Sequence, residues 1–206
     1  MGLFSFGKPS PPKANNKVWK TREECLKGTV RECLLSIRNS EIAIIAFPFE
    51  ESRQAMETFL NKAPVPFQSI DTYAGKDILS TTDKIFLIDL FPLTNLSSDR
   101  KINFFILGRY PYLPEERKSL EHLRIKFPNA VISFCLSLDD TVFKVFGSER
   151  LKPLMESLGM KEDEFIEHAM INTSIANGLE KIEQKVVNEL KSSSEKGWFE
   201  RNLIEL

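Results

Sequence analysis

Cysteine, histidine and any excess of one charge are all scarce in this sequence. Its three cysteines, Cys25, Cys33 and Cys135, make an odd count with no C-x-x-C pair. That suits a reducing compartment rather than a disulfide framework, and all three read as small buried apolar groups. The two histidines, His122 and His168, fall on different predicted helices with no partner at a recognised ligand spacing, so no metal site is expected. Lys plus Arg is 28 against 29 Asp plus Glu, which leaves no global basic field and no expected nucleic-acid partner. No run approaches 18 apolar residues, and the opening "MGLFSFGKPSPPKANNK" lacks the apolar core of a signal peptide. No integral membrane segment and a cytoplasmic location are expected. Phe6 stands where N-myristoylation wants Ser or Thr.

What is present is α/β patterning. At 206 residues the chain suits one domain with a substantial core plus a helical appendage. Residues 1–17, rich in Pro, Asn, Lys and Gly, read as a flexible tail. Thr21 and Glu24 are spaced as a capping box for a helix reaching about Asn39. The run "EIAIIAFPF" (41–49) has the length and composition of a strand buried on both faces. Further strands are expected at 65–71, 84–90, 103–108 and 130–138, with helices at 50–62 and 114–127. Strands alternating with helices imply about five mostly parallel strands with helices on both faces, an α/β domain over 18–158. After Leu138 only helical patterns follow, at 139–146, 148–158 and 161–192, then the short amphipathic "WFERNLIEL". Residues 159–206 are therefore expected to form a C-terminal helical extension.

Catalytic signals fail one by one. "AGKD" offers Gly75 and Lys76, but a phosphate-binding loop needs glycine at Ile70 and a hydroxyl at Asp77. There is no G-x-S-x-G elbow, and Cys135 lies inside an apolar run. The acidic pair Asp139–Asp140 and the cluster Glu162–Glu164 read as helix-start charge, with Ser137 and Asp140 at S-x-x-D capping spacing. No catalytic residue and no cofactor are expected. Were the chain a small α/β enzyme or ligand-binding protein instead, its pocket would lie at the carboxyl ends of the strands, with Asp71, Asp89, Arg109 and Tyr110 as candidate groups.

The segment "SLDDTVFKVFGSERLKPLMESLGMKEDEFIEHAMINTSIANGLEKIEQKV" resembles the part of SecA, the preprotein-translocase motor ATPase, that joins its second nucleotide-binding fold to its long helical scaffold. The acidic pair in "SLDD", the "FGSERL" turn, "LGM" before an acidic cluster, "IEH" and "SIANGLEKIE" carry the likeness in order. It implies a RecA-like fold. In that family a glycine and arginine loop and a Q-x-x-R-G-R-x-G-R-x-G run bring arginines to the nucleotide. The corresponding places here read "DLFPLTNLSSD" and "HLRIKFPNA", with no Gly-Arg pair. Guanidinium groups on a γ-phosphate are worth several orders of magnitude in hydrolysis, so the resemblance implies architecture without ATPase activity. It also implies a protein-interaction or regulatory module with a protein partner tied to translocation. The surface expected to meet that partner includes Phe143, Phe146, Arg150, Met160, Phe165 and His168, although most of the apolar residues Phe143, Phe146, Leu154, Met155, Met160 and Phe165 are expected to pack in the protein's own core.

Overall fold

The structure is a computed structural model, and it describes residues 14–70, 79–92, 95–146, 153, 155 and 161–203. Its centre is the apolar run read as a buried strand. β2 (Ile42–Phe47) is buried at every position. Its side chains alternate between two cores, Ile42, Ile44 and Ala46 on one face and Ala43, Ile45 and Phe47 on the other. A strand with apolar residues on both sides must sit in mid-sheet, and β2 lies between β5 (Ile102–Leu107) and β4 (Ile85–Asp89). With β1 (Asn15–Trp19), β3 (Phe67–Ser69) and β6 (Ala130–Ser137), the sheet runs β1-β6-β5-β2-β4-β3 with every pairing parallel. This is the α/β architecture with a parallel sheet that the alternation of strands and helices implies.

Helices cover both faces. α1 (Arg22–Arg38) and α2 (Glu50–Leu60) place Cys25, Leu26, Val30, Cys33, Met56 and Leu60 against one side. α3 (Leu113–Lys126), α4 (Thr141–Phe146), α5 (Ala169–Lys185) and α6 (Glu195–Asn202) close the other. Ile171, Ile175, Leu179 and Ile182 of α5 join the same core cluster as Ile44 and Phe104, so the last third of the chain packs on the sheet. At about 1.5–3 kcal/mol per large apolar side chain, these burials contribute much of the driving force.

Several expectations are corrected. Among the described residues there are six strands, and the unforeseen one, β1, takes residues 15–17 out of the expected tail. "NNKVW" is too short and too polar to announce itself. Only Val18 and Trp19 face the cores, and the rest is fixed by pairing with β6 from Asn15↔Ser133 to Trp19↔Ser137. Trp19 lies so close to α1 that a Cβ on Gly28 would come within 2.4 Å of its indole, which explains the mid-helix glycine. The long helix expected over 161–192 is confined to α5. Before it, Ile166 makes an antiparallel bridge to Val18 on the outer edge of β1, and after it the chain leaves helical geometry at Val186. The expected helix at 148–158 lies outside the described residues except for Pro153 and Met155, both helical, with Met155 fully buried.

Candidate functional site: the covered carboxyl edge of the sheet

The chain leaves β2 through α2 toward β3, and leaves β5 through α3 in the opposite direction toward β6. Between these neighbours, at their carboxyl ends, the loops diverge and leave a crevice, the usual place for a ligand in an open parallel sheet. Pro48 and Phe49, which follow β2, line one side, and Tyr110, which follows β5, lines the other. Gly108 has φ of +104°, a left-handed conformation that glycine adopts without strain, and its N–H donates to the Cys135 carbonyl at 2.9 Å.

The crevice is filled by the chain itself. Residues 187–203 fold back across it as a strap. Tyr110 packs at a tilt against Phe49 and Phe91 at ring-centroid distances of 5.4 and 4.7 Å, and Trp198 meets Tyr110 edge-on at 6.4 Å. The Tyr110 hydroxyl donates to Glu189, and the Trp198 indole N–H donates to the same carboxylate at 2.8 Å. Burial and the Glu189 charge raise the Tyr110 phenol well above its ordinary value, so it stays a donor throughout the physiological range. Asn202 ties the strap to itself, accepting from the Leu190 N–H at 2.7 Å and donating to the Leu190 carbonyl at 2.8 Å. What remains of the crevice is a cleft of about 190 Å³.

The strap also reaches the starts of two helices. α2 has no side-chain cap, and its Glu51 N–H donates to the Ser193 carbonyl at 3.1 Å. At α4, the Thr141 and Val142 N–H groups donate to the Glu195 carboxylate at 2.7 and 3.2 Å. Helix starts with free N–H groups attract anions, and here the strap supplies a carbonyl to one and a carboxylate to the other. Beside Glu195 lies buried Asp140, whose carboxylate accepts from the Ser137 N–H at 3.0 Å, the Ser137 hydroxyl at 2.7 Å and Arg22 Nη1 at 3.4 Å. Arg22 continues to Ser52 on α2 at 3.1 Å, and its backbone N–H donates to Asp139 at 2.8 Å. Burial raises the Asp140 pKa despite the arginine, and burial together with the Asp140 charge pushes Glu195 up to about 7.

Of the four candidate ligand groups, Asp89, Arg109 and Tyr110 lie at this edge, and each is occupied. Arg109 donates to Glu116 through Nε at 2.8 Å and also through Nη2, reaches Asn16 Oδ1 at 3.0 Å, and lies 4.0 Å from the Phe134 ring centroid. Asp89 pairs with Arg53 at 2.6 Å on the rim of an open polar cleft of about 480 Å³, also lined by Glu50, Gln54 and Glu57. Asp71 lies outside the described residues. Of the expected partner surface, Phe143 is buried in the core, and Phe165 is half-buried with its ring 5.1 Å from that of Trp19. His168 is exposed and caps α5, its Nδ1 accepting from the Met170 N–H at 3.2 Å. Leu154, Arg150, Met160 and the side chain of Phe146 lie outside the described residues.

The residues that organise the edge, Arg22, Glu189, Glu195 and Trp198, escape sequence reasoning because their partners are 9 to 118 positions away. One signal was available: the apolar Trp198–Phe199 pair in a short amphipathic segment has to be covered by something. Among the described residues, no group of three or more His, Cys, Asp and Glu is placed to hold a metal ion, and no helix is long and apolar enough to cross a membrane.

Comparison with known proteins finds no matching family model. The chain is similar to the protein translocase subunit SecA of Acidithiobacillus ferrooxidans, 52% identical over 52 residues, which is 25% of this chain and 6% of that protein. It is also similar to the SecA of Campylobacter concisus, 24% identical over 187 residues, covering 82% of this chain and 21% of the relative. The chain thus spans about a fifth or less of the length of these relatives. Among solved structures it is similar to the C-terminal part of the Fun30 ATPase domain, with a TM-score of 0.41 and 12% identity, covering 76% of this chain and 54% of the other.

Proposed function

We propose that this chain is a non-catalytic, SecA-like interaction module that works in the cytosol by binding a protein of the translocation machinery. The observation that carries this reading is the filled crevice. A nucleotide at the switch point would need the N–H groups of helix starts and free guanidinium groups for its phosphates. Here the Glu51, Thr141 and Val142 N–H groups are given to the strap, while Arg22 and Arg109 are committed to Asp140 and Glu116. Similarity to SecA supports the connection to translocation, and a fold can serve as a binding surface when its site is not used for chemistry.

Isothermal titration with MgATP tests the first half: no saturable heat is expected, and a dissociation constant in the micromolar range would overturn it. Titration with purified SecA and with the membrane channel complex tests the second. Saturable binding to one of them is expected, and none to either would remove the translocation reading. The open cleft beside Asp89 and Arg53 keeps a second reading in view, a small-ligand protein; a thermal-shift screen of polar metabolites, with loss of any hit in Arg53→Ala, decides for or against it.

A further inference from the structure

We propose that residues 187–203 form a releasable strap over the switch-point crevice, with Glu195 as the latch that holds it shut. The strap has the construction of a separable piece. Its linker, 187–194, is irregular and leaves Val187 and Leu190 86% and 56% exposed. α6 has only eight residues, too few to persist as a helix without tertiary contacts. Its holds on the body are local: the Trp198, Phe199 and Leu203 side chains, the Glu189 clamp, Lys191 over the Phe91 ring, the Ser193 carbonyl and the Glu195 carboxylate.

Glu195 is the only one of these holds that carries its own opposition. Its carboxylate is stabilised by two N–H groups at the start of α4, yet it faces the carboxylate of Asp140, itself buried. Facing groups are Asp140 and Asp139 from the turn before α4 and Arg22 from α1, whose guanidinium lies on Asp140; on α6 itself Lys196 is paired outward with Glu200. The sign follows. The Glu195 pKa, pushed up to about 7 in the closed state, falls toward the ordinary carboxylate value when the strap is released into water. A raised folded-state pKa gives stability that is present at low pH and lost as pH rises through that value. The strap is therefore tightest when the Asp140–Glu195 pair holds a proton, and it loosens as pH rises from about 4.5 to about 7 and levels off beyond. With a closed-state value of about 7 and an open-state value near 4.5, the opening constant rises by up to about tenfold between pH 6 and pH 8.

Hydrogen–deuterium exchange on the full chain, resolved to peptides within 187–203 and within β2, reads this directly once each rate is divided by the intrinsic rate at that pH. In the unaltered protein, strap protection should fall by up to about tenfold from pH 6 to 8 while β2 protection is unchanged. Glu195→Gln, which keeps an acceptor but cannot ionise, should hold the strap equally well at both. Strap amides that exchange only together with β2, or a pH dependence that survives in Glu195→Gln, would overturn the proposal. Should Glu195→Gln fail to fold, Asp140→Asn serves instead: removing the facing charge moves the transition to lower pH, and an unmoved transition would count equally against it.

Discussion

Two helices begin side by side at the carboxyl edge of the sheet, and they are started in opposite ways. α1 is capped from within: the Thr21 hydroxyl accepts from the Glu24 N–H at 3.2 Å, three positions on, and 17 residues of helix follow. α4 has six residues, and its first donors go to Glu195, 54 and 53 positions away. The first is a local device that forms wherever the chain is helical. The second exists only when the strap is seated, so it couples the start of a helix to the closure of the crevice. Stability on the α1 side is therefore expected to be global, and on the α4–α6 side to be divisible.

The largest break in this comparison comes from Trp198→Ala. Its side chain is fully buried and hydrogen-bonded to Glu189, and removing a core tryptophan costs about 3–5 kcal/mol. Denaturant unfolding should show that loss, and exchange in 187–203 should rise well beyond what the global loss alone requires. A strap that stays as protected as β2 in this variant would mean that the two sides are one cooperative unit.

On the α1 side, Gly28→Ala adds a methyl group where the indole of Trp19 already stands, 2.4 Å from the ideal Cβ. Alanine favours helix, so propensity alone predicts a gain of up to about 1 kcal/mol. Overpacking of about 1–3 kcal/mol outweighs it, because both Trp19 and α1 are fixed by the sheet. The expected outcome is a lower midpoint in urea with exchange accelerated evenly through β1, β2 and the strap; an unchanged or raised midpoint would refute the close approach.

These two positions also mark how far the sequence could be read. The Thr21–Glu24 box, the double-faced run of β2 and the alternation of strands and helices are properties of neighbours within a turn or two, and they are visible as spacing. Nothing local marks Gly28, because its reason, Trp19, lies on β1, a strand with only five residues and a polar start. Ser137 and Asp140 were recognisable as a local pair and do bond to each other. The acid that meets the donors of α4 was invisible, since nothing near Glu195 points to residue 141. The candidate edge groups Arg109 and Tyr110 were placed correctly by the strand-end rule. Their commitment to Glu116 and Glu189 belongs to tertiary structure alone.

Tyr110→Phe isolates one hold of the strap. The ring contacts with Phe49, Phe91 and Trp198 remain, and only the hydroxyl donated to Glu189 is lost. A hydrogen bond to a charged acceptor contributes about 1.5–3 kcal/mol, but Glu189 keeps the Trp198 donor and is half-buried, so the lower end applies. Strap exchange should accelerate by roughly tenfold with β2 unaffected. Equal acceleration in both would show that Tyr110 supports the sheet rather than the strap.

Thr21→Ala should have the smallest effect, and it tests the local half of the comparison. The loss of the hydroxyl acceptor leaves the Glu24 N–H to water, which is available because Thr21 is exposed, and such changes cost about 1 kcal/mol. Arg22 is the next residue, and its contacts with Asp139, Asp140 and Ser52 tie it to the same edge as Glu195. If α1 is started by its own cap, the variant loses that stability uniformly and the strap opens no more readily than the rest. If the strap amides accelerate selectively, the start of α1 is held through Arg22 and Asp140, and the two helix starts form one coupled cluster rather than a local and a distant device.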